Sequence, residues 1–254
     1  MSTGQRVMRP LRRVGAVVFD CDSTLSAIEG IDELAASQRA EVEALTESAM
    51  RGAVPLEAVY GARLALIRPD RARMAALARQ YVERLVPDAA AVVAALRTEG
   101  IAVRILSGGL LPAVLAVADA LSLSHDDVAA VDIRFADDGT YAGFDEQSPL
   151  ARSRGKCEVL AAWRSAHPAG MMLVGDGATD AEAAPMVDVF VAYTGVVERA
   201  AAVAAADVVI RSASLAPVLT LALGGRPPRA AEHRSLFERG AALLDARDRS
   251  RTRT

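Results

Sequence analysis

Short apolar runs rich in β-branched residues recur along the chain: Val14–Phe19, Ile101–Leu106, Met171–Val174, Asp188–Tyr193 and Asp207–Ile210. Runs of this length, bounded by turn residues, read as buried strands. Between them, apolar residues fall at spacings of three and four. That period predicts helices over Asp88–Glu99, Leu110–Leu121, Lys156–Ser165, Asp180–Pro185 and Val196–Ala205. Strands alternating with helices predict an α/β fold: a Rossmann-like parallel sheet core with right-handed crossovers. Val131–Phe135 and Thr140–Phe144, joined through Asp137-Asp138-Gly139, read as a β-hairpin.

Residues 25–86 break the alternation. They are rich in Ala, Leu, Arg and Glu, with breaks near Gly52-Ala53-Val54-Pro55 and Pro69. Three or four helices inserted directly after the first strand would lie over the carboxyl ends of the strands, where open α/β sheets bind ligands. This predicts a catalytic core of residues 1–24 and 87–225 with a helical cap domain of residues 25–86. Residues 226–254 differ again, with eight Arg against four acids. Leu236, Phe237, Leu243 and Leu244 could form a short amphipathic helix, and the stretch after Ala246 reads as a disordered, solvated tail.

Composition narrows the function classes. The 254 residues are 52% hydrophobic, enough for one large or two modest domains. The formal net charge is −3 and aromatics are 4%, which disfavours a general nucleic-acid binder and a base-stacking surface. No segment reaches about 18 uncharged apolar residues, and the basic stretch Met1–Arg13 precedes no signal-like apolar run, so neither membrane span nor secretion is expected. Two cysteines, Cys21 and Cys157, fit a reduced cytoplasmic setting, and as buried thiols they would be inert. Three scattered histidines make a His-based zinc site improbable. Of 29 basic residues only Lys156 is Lys, which singles that position out.

The candidate chemistry follows the strands. Asp20-Cys21-Asp22-Ser23-Thr24 comes directly after the first strand, and two carboxylates in one pocket call for a cation or a proton. Ser107-Gly108-Gly109 follows a second strand and opens a helix, an arrangement suited to an anion such as phosphate. Lys156 opens another helix and offers a compact positive charge. Gly175-Asp176-Gly177-Ala178-Thr179-Asp180 follows a third strand, with glycines for the tight turn and two more carboxylates. Each element alone has an ordinary structural explanation as a cap, a turn or a surface charge. Together they converge, because parallel strand ends share one face.

This order of motifs resembles the haloacid dehalogenase-like superfamily of phosphotransferases. The likeness extends through Glu29–Ala35, Ala49-Met50, Gly52–Pro55, Arg63–Ile67, Leu106–Gly109, Tyr141–Glu146 and Val174–Asp180, and within the superfamily it is similar to the phosphoserine phosphatase family. It runs over roughly residues 14–222 and leaves out the tail. The resemblance implies Mg²⁺-dependent hydrolysis of O-phospho-L-serine, the last step of serine synthesis by the phosphorylated route. Asp20 would be the nucleophile and form an aspartyl-phosphate, and Asp22 the general acid and then base. Mg²⁺ would be held by the Asp20 side chain, the Asp22 carbonyl oxygen and Asp176. Ser107, the Gly108 amide and Lys156 would hold the phosphoryl oxygens. Asp180 would orient a metal-bound water or Lys156, and Thr179 would touch the phosphate or its loop. In the cap, Glu29 would pair with a substrate ammonium and Arg63 with a carboxylate, with Met50 lining the substrate.

The chain departs from the family at Arg51, where a small or acidic residue is usual, and at Leu56, where Phe is usual. Thr194-Gly195-Val196 stands in place of a Gly-Gly-Asn turn. The first two departures bear on the substrate rather than on phosphoryl chemistry. They keep open another small phosphomonoester, such as phosphohomoserine or an amino-alcohol phosphate. A binding protein of the same fold without catalysis is the alternative from a different class, and the complete set of acids, Ser107 and Lys156 argues against it. Dehalogenation would leave Asp22 without a role. The partner is a small-molecule substrate, with monomer and homodimer both open.

Overall fold

The structure, a computed structural model, describes residues 12–35, 38–50 and 56–251. The first strand, β1 (Ala16–Phe19), is buried along its whole length. Helices α1 (Gly30–Leu34), α2 (Arg39–Met50), α3 (Leu56–Ile67) and α4 (Arg71–Glu83) follow. Asp70 starts α4 by accepting the Arg73 backbone N–H at 2.7 Å, as an N-cap does. Next come α5 (Ala89–Thr98), β2 (Ala102–Leu110), α6 (Leu111–Ala120), β3 (Val128–Val131) and the hairpin strands β4 (Ile133–Phe135) and β5 (Tyr141–Phe144). The second half runs α7 (Gly155–Arg164), β6 (Met171–Gly175), α8 (Ala178–Ala183), β7 (Val189–Tyr193), α9 (Ala200–Ala205), β8 (Val208–Ile210), α10 (Ala216–Ala222) and α11 (Arg234–Arg251).

Six strands form one sheet in the order β3-β2-β1-β6-β7-β8, with every adjacent pair parallel. The hairpin stands apart as a two-stranded antiparallel sheet. The chain fills one side of β1 first and then the other, so the strand order switches between β1 and β6. Phe19 pairs with Ile105 on one side and Val174 on the other. The residues just beyond that level are therefore Asp20, Leu106-Ser107 and Gly175-Asp176. The motifs meet at the switch point, on the carboxyl side of the strands. Helices cover both faces, and the core is the continuous apolar layer of the strands against them.

Several elements differ from the pattern-based expectation. Strand β2 runs on through Ser107-Gly108-Gly109 to Leu110, with a register irregularity against β3 between Leu106 and Leu110. The serine-glycine loop is thus a bulged strand end rather than a helix start. The helix begins at Leu111, where Pro112 fits a first turn. Val131 ends the edge strand β3 and is not part of the hairpin. Its neighbours Ala129 and Ala130 carry too little β signal to mark the strand. Helix α8 stops at Ala183 and a 3₁₀ turn takes Ala184–Met186, since Pro185 cannot continue the ladder. Helix α9 starts at Ala200, four residues late, because residues 195–199 form a loop over the site. Helix α11 runs to Arg251, past the end expected at Ala246. It docks by Leu236 and Phe237, both buried, and Thr220 donates its hydroxyl to the Phe237 carbonyl at 2.9 Å.

Candidate active site

Asp20 leaves the end of β1 and is buried. Its Oδ1 accepts the Cys21 backbone N–H at 2.8 Å and lies 2.9 Å from Lys156 Nζ. The same ammonium donates to Asp180 Oδ1 at 2.7 Å. Lys156 sits in the first turn of α7 and Asp180 in the first turn of α8, so two helix starts aim opposite charges at one strand end. Gly175 makes room: a Cβ there would overlap the Asp180 carboxylate. Burial and then the Asp180 charge push the Asp20 carboxyl above its usual range, and Lys156 pulls against them. Burial alone would lower Lys156, but Asp180 and Asp20 more than reverse it, so the ammonium is held charged.

Asp176 follows β6 and is also buried. Its Oδ1 accepts the Thr24 hydroxyl at 3.1 Å, while Oδ2 is ion-paired with the Arg199 guanidinium. Asp20, Asp176 and Asp180 present carboxylate oxygens within 4.8 Å of one another. Both Asp180 oxygens are engaged, one by Lys156 and the other by the Gly177 backbone N–H at 3.0 Å. That leaves Asp20, and Asp176 once its Oδ2 is released by Arg199, as the carboxylates available to a cation. Three buried carboxylates face the Lys156 ammonium and the Arg199 guanidinium, and oxygen donors with one net negative charge left over fit a hard divalent cation.

Asp22 lies two residues on, past the strand, in a loop whose Thr24, Leu25 and Ser26 N–H groups all point at the Cys21 carbonyl. Ser23 takes a left-handed conformation there, at φ 52°. The Asp22 carboxyl is turned to the cap helices. Its Oδ1 accepts the Tyr81 hydroxyl at 2.6 Å and its Oδ2 the Gly30 N–H at 3.1 Å. Burial, against the Tyr81 hydrogen bond and helped by the Glu29 charge, pushes its pKa up to about 6. Two aspartates of one loop therefore sit in different environments, one on a lysine and one on a tyrosine. Between them, burial and the charges of Asp22 and Asp20 push the Cys21 thiol up, so it stays protonated.

Ser107 is buried and its Oγ accepts the Gly109 N–H at 2.9 Å. The Gly108 carbonyl accepts the hydroxyl of Tyr60 from α3 at 3.0 Å. Glu29 precedes α1, and its Oε1 accepts the Ser23 hydroxyl at 2.6 Å and pairs with Arg199 Nη2 at 2.7 Å. Arg63 pairs with Asp32, and its buried Nε–H meets no acceptor among the described residues. Glu29 and Arg63 are thus each held by a protein partner. Thr179 is exposed at the start of α8, beside Asp180. The side chains of Met50 and Leu56, and Arg51 altogether, lie outside the described residues.

Sequence reasoning missed three residues at the site: Tyr60, Tyr81 and Arg199. The tyrosines follow ordinary helical spacing, and only tertiary packing shows what their hydroxyls reach. Arg199 stands among 28 arginines with no motif around it.

The model of the haloacid dehalogenase-like hydrolase family matches residues 17–185. The chain is 41% identical over 187 residues to the phosphoserine phosphatase of Bos taurus, spanning 72% of this chain and 83% of that one. It is 38% identical over 201 residues to the chloroplastic phosphoserine phosphatase of Arabidopsis thaliana, spanning 77% and 68%. Among solved structures it resembles an unliganded probable phosphoserine phosphatase from Vibrio cholerae, with a TM-score of 0.69 at 25% identity over 86% of this chain and 68% of that one.

Proposed function

Because this chain belongs to the haloacid dehalogenase-like hydrolases, we propose that it hydrolyses O-phospho-L-serine to L-serine and phosphate with Mg²⁺. The observation that carries the chemistry is the buried Lys156 ammonium clamped between Asp20 at 2.9 Å and Asp180 at 2.7 Å, with Asp22 on the same loop. The curated relatives quoted above support the substrate.

Asp20 attacks phosphorus with a carboxylate oxygen and forms an aspartyl-phosphate. The bond from phosphorus to the serine oxygen breaks, and that oxygen takes the Asp22 proton. Asp22, now a carboxylate, accepts a proton from water as the water attacks phosphorus and frees Asp20. A carboxyl held at about 6 can serve both steps near neutral pH. Lys156, Ser107 and the Gly108 amide hold the phosphoryl oxygens. Asp20, Asp176 and the Asp22 carbonyl would hold Mg²⁺, which supplies positive charge to the phosphoryl group. Asp180 keeps Lys156 in place. Helices α1–α4 act as the cap. Glu29 meets the substrate ammonium after releasing Arg199, and Arg63, with its unused Nε–H, meets the carboxylate.

The test is a phosphate-release comparison across both enantiomers of phosphoserine, phosphohomoserine, phosphoethanolamine and glycerol phosphate. The expected result is at least tenfold higher kcat/KM for phospho-L-serine than for phosphoethanolamine, because a missing charged partner costs about 2–5 kcal/mol in a closed pocket. A higher kcat/KM for any other of these esters would overturn the substrate. Asp20→Asn retaining turnover would overturn the mechanism.

A further inference from the structure

We propose that Tyr81 is a positioning residue for the proton donor Asp22, and that the reaction needs its hydroxyl when the leaving group is an alkoxide. This rests on the acid–base role given to Asp22 above. The Tyr81 hydroxyl donates to Asp22 Oδ1 at 2.6 Å, and the Gly30 N–H holds Oδ2 at 3.1 Å. With a donor on each oxygen, the carboxyl plane cannot turn about its Cβ–Cγ bond. Each oxygen keeps one further lone pair or proton, in a fixed direction. Without the hydroxyl, one donor remains and the plane is free to swing.

The surroundings are built for this contact. Tyr81 is fully buried. A Cβ at position 30 would overlap its hydroxyl, so Gly30 both donates to Asp22 and leaves room for the tyrosine. The backbone of Tyr81 is tied to the loop that carries Asp22. Ser26 Oγ donates to the Tyr81 carbonyl at 3.0 Å, and the Ala27 N–H donates to the Arg84 carbonyl at 2.8 Å. The Val86 N–H donates to the Leu25 carbonyl at 2.9 Å. The last turn of α4 and the Asp22 loop therefore move as one piece. These backbone ties do not involve the hydroxyl, so Tyr81→Phe would keep them and lose the bond to Asp22.

The experiment compares substrates by leaving group in the full chain with Mg²⁺. Phosphoserine releases an alkoxide that must be protonated, whereas acetyl phosphate releases acetate, which needs no proton. The ratio kcat/KM reports the steps through the first phosphoryl transfer to Asp20. Tyr81→Phe should lower kcat/KM for phosphoserine about tenfold through kcat, and change that for acetyl phosphate less than twofold. Tyr81→Met repeats the measurement should the Phe variant fold poorly. Equal loss on both substrates would make Tyr81 structural, and no loss on either would make its hydroxyl idle; both outcomes overturn the proposal. Should phosphoserine itself not be hydrolysed by the wild type, the substrate reading fails. Tyr81 is then tested by the same split between acetyl phosphate and whichever alkyl phosphate the wild type accepts.

Discussion

Replacing Lys156 with Met removes a charge and keeps most of the length of the side chain. The lysine side chain is 5% exposed, and those of its partners Asp20 and Asp180 are 10% and 0% exposed. In the wild type the ammonium meets both at hydrogen-bond distance, so its loss leaves two buried carboxylates facing each other. Removing one member of a buried ionic group costs about 3–5 kcal/mol, mostly from the charge left uncompensated. At about 2–4 °C per kcal/mol for a chain of this size, Tm should fall by roughly 6–20 °C in EDTA near neutral pH. Saturating Mg²⁺ should then raise Tm more in the variant than in the wild type, because the cation takes the place of the lost ammonium as counterion to Asp20. Lys156→Arg should keep most of the stability and lose most of the turnover, since a planar fork does not replace a point charge between two carboxylates. Calorimetry in EDTA decides the matter. A Lys156→Met protein within about 1 kcal/mol of the wild type would refute the reasoning, because the carboxylates would then not depend on the lysine.

Three further changes test other links. Gly175→Ala drives a methyl into the Asp180 carboxylate, so Lys156 loses alignment; turnover should drop at least tenfold with the sheet intact by circular dichroism. Arg199→Gln removes the guanidinium facing Asp176 Oδ2, so Mg²⁺ should bind more tightly by calorimetric titration; weaker binding would show that Arg199 supports the site instead. Glu99 fixes the start of the C-terminal segment, accepting the backbone N–H groups of Arg229 at 2.6 Å and Ala230 at 3.2 Å. Burial acts to raise its carboxyl, but these bonds and Arg13 outweigh it and hold it below the usual range. A lowered folded pKa stabilises above the unfolded value and is lost as pH falls through the folded one. Glu99→Gln should therefore cost about 1–3 kcal/mol near neutral pH, with the gap closing in acid below about pH 4, as read from denaturant unfolding.

What was legible in the sequence lies where one element carries both signal and site. Asp20 and Asp176 stand at the ends of strands whose apolar runs mark them, and the parallel arrangement brings those ends together without further information. Lys156 was marked by its rarity. The serine-glycine segment had the right place and the wrong local form, because a glycine pair permits a bulged strand end as well as a helix start. Contacts made by long side chains from remote elements were not legible. Tyr81 reaches Asp22 across 59 residues and Arg199 reaches Glu29 across 170, and neither has a local pattern that says where its tip goes. The expected pairing of Glu29 and Arg63 with a zwitterion follows from the family resemblance, since charge and helical spacing alone fit two exposed surface residues equally. Packing adds that Ser23 and Arg199 already hold Glu29, and that Asp32 holds Arg63.

The division of labour between Asp20 and Asp22 also comes from packing rather than spacing. In a continuing strand, residues two apart share a face and would meet the same surroundings. Here the strand ends at Phe19, and the loop folds back on the Cys21 carbonyl with Ser23 left-handed. That turn sends Asp20 to the lysine of α7 and Asp22 to the tyrosine of α4 and the amide of Gly30. On the proposed mechanism Asp20 attacks as a carboxylate, the form that the adjacent ammonium favours against burial and the Asp180 charge, which push the carboxyl up. A proton donor must be able to hold its proton, and burial with the Glu29 charge favours that form, outweighing the Tyr81 and Gly30 donors that favour the carboxylate. On that mechanism identical side chains take opposite roles because the loop after Phe19 sends one to Lys156 and the other to Tyr81 and Gly30. On that mechanism α1 and α4, through Gly30 and Tyr81, position the proton donor as well as closing over the substrate.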